Sequence, residues 1–173
     1  RYRNEVDGDG FDREALLINM ADNIIIPAYQ DLDSKLSDLV TAKNAYTTTV
    51  SQSNLSNLRA AWLEAYKTWQ HVEMFNIGKA EEVQYFYQMN IYPTNTVEIE
   101  QNIASGTYDL SHVNNYDAIG FPSIDYLIHG LVANDNAILQ KYSTDTGAEK
   151  HKMYLNDVIN QMKKLTGDVE DLL

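Results

Sequence analysis

Apolar side chains recur along this chain at steps of three and four residues, the period of helices that bury one face. Leu17, Ala21, Ile24, Ala28, Leu32, Leu36 and Leu39 predict a first long helix, with Asp12 placed to cap its start. Pro27 falls inside that run. It lacks a backbone donor and its ring crowds the preceding turn, so it is expected to kink the helix or split it in two. The polar run Thr47–Asn54 (TTTVSQSN) reads as a loop, because hydroxyl side chains compete for backbone hydrogen bonds. Leu58, Trp62, Ala65, Trp69 and Val72 then follow a 4-3-4-3 spacing that Asn76 continues, predicting a second helix that ends at Gly78.

Glu81–Met89 is a short apolar and aromatic segment, helical or irregular. Pro93 opens a helix over TVEIEQNIASG that ends at Gly106, followed by a loop from Thr107 to Gly120. In GFPSIDYLIHG, Pro122 stands in the first turn of a short helix and Gly130 closes it. Ile124, Leu127, Ile128 and Leu131 give that helix its buried face. Met153, Val158, Met162, Leu165 and Val169 mark one side of a last long helix. No segment alternates with the period of a strand. The chain therefore reads as all-α, an up-and-down bundle of four main helices with short extra helices, in a single domain over residues 1–173.

Composition narrows the partners rather than the fold. With 13 Lys and Arg against 25 Asp and Glu, the net charge is −12, which repels a phosphate backbone and argues against nucleic acid. There is no cysteine, so disulfides, thiolate metal sites and Cys nucleophiles are excluded. No stretch approaches the roughly 20 apolar residues that span a bilayer. No nucleophile elbow and no phosphate-binding glycine loop occurs.

The remaining chemistry rests on a few side chains. Asp7–Glu14 (DGDGFDRE) resembles a calcium loop but fails on spacing, since Phe11, Asp12 and Ile18 fall where ligand, glycine and closing glutamate are required. The histidines are His71, His112, His129 and His151, and no HExxH helix is formed. His112 and His151 are most simply solvent-exposed. Asp125 and His129 are four apart and share a helix face, as a surface acid–base pair or as two metal ligands. Glu73 follows Trp62, Tyr66 and Trp69 along the flank of the apolar stripe, where a partly buried carboxylate needs a partner.

Three stretches resemble the imelysin-like family, bacterial proteins grouped with an insulin-cleaving membrane protease. They are NMADNIIIPAYQDLDSKLSDL, LRAAWLEAYKTWQHVEMFNIG, and the pair IYPTNTVEIEQNIASG and GFPSIDYLIHG, which match in order and approximate separation. The resemblance implies a helical bundle, export to the periplasm or the cell surface (often as a lipoprotein), and an association with iron uptake. It also implies a two-bundle protein, of which this chain resembles the first half. The family signature is G-x-H-x-x-E, on which a proposed metal site and peptidase activity rest. Aligned on Gly120, this chain carries Pro122 in place of the histidine and Asp125 in place of the glutamate. Where relatives show Trp-Pro-Leu-Asp, it reads Tyr92-Pro93-Thr94-Asn95.

Proline offers no metal-binding atom and no base, so the resemblance implies a binding protein rather than a hydrolase. The expected pocket lies between the helices bearing Glu73 and Asp125, with Tyr66, Trp69, Tyr92 and His129 around it. Glu73, Asp125 and His129 are the candidate ligands for iron or another divalent metal. Haem or an envelope protein are the other expected partners. Two alternatives stay open: a metallopeptidase in which His71 or His129 replaces the missing histidine, and a surface scaffold for another protein, consistent with twelve tyrosines.

Overall fold

The computed structural model of the chain describes residues 10–172, and among these no residue lies in a strand. Asp7, Gly8 and Asp9 of the calcium-loop reading lie outside them. Helix α1 (Arg13–Met20) runs through a π turn (Ala21–Ile25) into α2 (Ile26–Thr48). Asp12 caps α1 as expected, its carboxylate accepting from Ala15 N at 2.9 Å. The π turn explains how Pro27 is tolerated. It interrupts the regular backbone ladder just before the proline, so the missing N–H breaks no further bond.

The same turn displaces the expected apolar stripe. One extra residue rotates the helix face by about 100°, so Leu17 and Ile24 point to solvent and the buried face begins at Ile25 and Tyr29. From there it runs through Leu32, Leu36, Leu39, Lys43 and Tyr46. No residue of α1 is buried.

The predicted loop at Thr47–Asn54 shrinks to three residues, because α2 reaches Thr48 and α3 (Gln52–Trp69) starts at once. Its polar groups close helices instead of opening them. Thr47 Oγ1 donates back to Lys43 O within α2. Asn54 Nδ2 donates to Ala45 O and Thr49 O, and Ser51 Oγ accepts from Asn54 N. Helix α3 stops at Trp69, well short of Gly78, and turns follow it that bury Val72 and leave Asn76 exposed. Gly78 instead precedes α4 (Lys79–Glu82), and Gln84 in the left-handed conformation separates α4 from α5 (Tyr85–Met89). After the cis bond Tyr92–Pro93, Asn95 caps α6 (Thr96–Ser105), which Gly106 ends in the left-handed region. A 3-10 turn (Val113–Ala118) leads to α7 (Gly120–Asp125), which continues as a π turn (Tyr126–Gly130). Helices α8 (Asp135–Ser143) and α9 (Ala148–Glu170) complete the chain, α8 being unforeseen in the sequence.

The bundle is built on α2, α3 and α9, with the Gly120–Gly130 segment closing the fourth side against α3 and α9. Helix α2 runs antiparallel to both long partners. Lys43 meets Asn156 and Asn160 of α9 while Asp33, nearer the start of α2, pairs with Lys163. Lys43 is fully buried, its ammonium donating to Asn156 Oδ1 at 2.6 Å and Asn160 Oδ1 at 3.0 Å, and burial lowers its pKa. The α9 stripe holds at Val158, Met162 and Val169, whereas Met153 faces outward. His151, expected in solvent, is buried. It follows the same stripe one turn back from Tyr154 and Leu155, its ring edge-on to Tyr142 and its Nδ1 3.0 Å from Gly147 O.

Candidate functional site

Helix α3 and the Gly120–Gly130 segment meet through aromatic rings. Trp62 stacks on Tyr66 with ring centroids 5.3 Å apart, Tyr66 meets Phe121 at 5.2 Å, and Trp69 meets Phe121 at 6.1 Å. Trp62 also stands edge-on to His129 at 5.7 Å and donates from Nε1 to Phe121 O at 3.1 Å. The two segments are therefore antiparallel, with Phe121 toward the end of α3 and His129 toward its middle. Asp125 and His129 form the expected pair, Nδ1 to Oδ1 at 2.8 Å, and both lie on the exposed flank. Pro122 sits half-buried in the first turn of α7, where a missing N–H costs nothing.

A clamp that the sequence did not announce holds this segment in place. Arg59 of α3 donates from Nε and Nη2 to Ile128 O at 2.9 and 2.7 Å, and its Nη1 and Nη2 reach both oxygens of Asp135. Tyr142 OH donates to Leu127 O at 3.1 Å. Both carbonyls belong to the π turn. The Arg59 guanidinium, with Gln52 beside it, holds the Asp135 carboxyl down to about 2. Tyr126 OH donates to Glu100 Oε1 at 2.8 Å, and burial together with that carboxylate pushes the phenol up to about 12.

The other predicted residues stand apart from the pair. Glu73 is half-buried in the turns after Trp69, and no hydrogen bond or ion pair joins its carboxylate to Asp125 or His129. Tyr92 is 86% exposed, ahead of the cis-proline. His71 and His112 are exposed, and His112 Nδ1 caps the 3-10 turn by accepting from Asn114 N. No group of three or more His, Asp or Glu side chains suited to a metal ion occurs among the described residues. Five clefts among the described residues are lined by other side chains; one of about 440 Å³ lies between α4–α5 and α9.

The family model for imelysin, classed as peptidase M75, matches residues 25–173, from the start of the buried face of α2 to the end of the chain. The chain belongs to the imelysin family. No curated protein sequence matches it. A crystal structure from Parabacteroides distasonis ATCC 8503, named an iron-regulated protein A precursor, matches the imelysin fold of this chain with a TM-score of 0.72 at 20% identity. The match covers 91% of this chain and 44% of that one, so the chain spans less than half the length of that relative. Among the described residues of this imelysin-family chain, no helix is long and apolar enough to cross a membrane.

Proposed function

We propose that this chain is a non-catalytic binding module of an exported imelysin-type protein serving iron or haem acquisition. The observation that carries the reading is Pro122. The family resemblance puts a metal-binding histidine at that position, and here a proline ring occupies the first turn of α7. Without an imidazole there, position 122 supplies neither a metal ligand nor a base for a metal-bound water. What stays beside it is a recognition surface: the exposed Asp125–His129 pair against the Trp62–Tyr66 stack. The iron link draws support from family membership and from the name of the structural relative. Export to the periplasm or cell surface follows the family resemblance.

Both tryptophans of the chain contact this segment, so intrinsic fluorescence reports on it directly. Titration with ferrous iron and, separately, with haem is expected to quench that fluorescence. Asp125→Ala and His129→Ala should each weaken the response, and an unfolded protein substrate should show no chelator-sensitive cleavage. Chelator-sensitive cleavage, or fluorescence indifferent to both ligands, rejects the reading. A second reading, a scaffold for another envelope protein, is favoured by the apolar side chains that α1 leaves exposed: Leu16, Leu17 and Ile18.

A further inference from the structure

The cleft between α4–α5 and α9 has a wall of fixed hydrogen-bond polarity. Gln161 of α9 donates from Nε2 to Leu110 O at 2.8 Å and to Gln88 Oε1 at 3.2 Å. A carbonyl only accepts, so the orientation of this amide is settled. Both of its hydrogens are directed at the protein, which leaves Oε1 as the acceptor of a residue that lines the cleft. Gln88, itself 5% exposed, is locked in turn by Nε2 to Val83 O at 2.7 Å. Ser111, which also lines the cleft, gives its hydroxyl hydrogen to Asp109 Oδ1 at 2.6 Å, so its oxygen is left as an acceptor. Tyr116 presents a phenol and a ring face with no hydrogen-bond partner in the described residues.

Two side chains of opposite charge line the cleft. Glu82 lines the mouth of this cleft and shares only one oxygen with Lys79, at 2.7 Å. Lys164, which lines the same cleft, stands mostly in solvent and pairs with Asp168 on its own helix. Val83 and Leu165 supply an apolar floor. A cavity of about 440 Å³ is of ordinary ligand size. Its acceptors call for a ligand rich in donors, its floor for an alkyl chain, and the net charge of −12 favours the approach of a cation.

We propose that this cleft binds an alkylammonium group, with the ammonium at Gln161 Oε1, Ser111 Oγ and the Glu82 carboxylate and the alkyl chain over Val83, Leu165 and the Tyr116 ring. The same chemistry is found in a free alkylamine and in the lysine side chain of a peptide. The site is separate from the Asp125–His129 surface, and its fate does not depend on that reading.

The test is two-dimensional NMR of the intact chain, following the side-chain amides of Gln88 and Gln161 during titration. The probes are n-butylamine, N-acetyl-lysine-methylamide, and n-butanol as the neutral control. Both amines are expected to shift these amides and the alcohol to leave them unmoved. A response to butylamine alone assigns the site to free amines, and a response to the capped lysine extends it to peptides. Glu82→Gln, at an exposed position, should weaken amine binding about tenfold with the melting temperature unchanged. Leu165→Trp fills the cleft from its half-buried apolar floor and should abolish the shifts while the fold stays intact. Amines that leave both glutamine amides unmoved, or an alcohol that shifts them equally, overturn the proposal.

Discussion

Gly120 carries more structural constraint than any other glycine among the described residues. Its φ is +81°, and a Cβ added there would lie 2.3 Å from Met89 O and 3.0 Å from Gln88 O, both backbone atoms that have no room to give. Gly120→Ala is therefore expected to cost about 3–5 kcal/mol, read by chemical denaturation. Gly130→Ala has ordinary backbone angles and meets only the Tyr126 ring, at 3.2 Å, so it should stay within about 1 kcal/mol. The sequence marked Gly120 as a signature position without revealing this close approach, because the Met89 carbonyl arrives from a distant part of the chain. His151 illustrates the opposite case. Its burial was legible, since it extends the spacing of Tyr154, Leu155 and Val158 backwards, but its charged neighbours Lys150 and Lys152 masked the pattern. Asp125 and His129 were readable from spacing alone, because a helix fixes residues four apart on one face.

Among the elements, the π turn at Tyr126–Gly130 depends most on long-range partners. Its carbonyls at Leu127 and Ile128 are satisfied by Tyr142 and Arg59, and Arg59 in turn ties α3 to the start of α8 through Asp135. The Asp135 carboxyl is held at about 2, below the ordinary value of about 4. The lowered value means that the tether contributes fully above about pH 4 and is lost as pH falls through about 2. Asp135→Asn should lower the thermal midpoint at neutral pH, and the difference from the parent should vanish near pH 2. Neither π turn was visible in the residue pattern. Both leave the local sequence looking like uninterrupted helix, and only the identity of the buried side chains (Ile25 rather than Ile24) betrays the first.

At the scale of the whole molecule, the all-α architecture was legible because nearly every long helix carries its own three-four stripe. The packing that closes it was not, because Arg59, Gln161 and the aromatic contacts of Phe121 join residues far apart in sequence. Helix α1 contributes least to the bundle, as none of its residues is buried. Removal of residues 1–19 should shift the thermal midpoint by less than about 4 °C, measured by circular dichroism. A loss of cooperative melting would show instead that α1 belongs to the folding unit. The buried lysine has a consequence of a different kind. Lys43 is sealed between α2 and α9, while lysines such as Lys67 and Lys164 stand in solvent. An amine-reactive reagent will therefore mark the surface lysines at once and Lys43 only when those two helices part. The rate at which that single residue is labelled makes the chain its own gauge of how often the bundle opens.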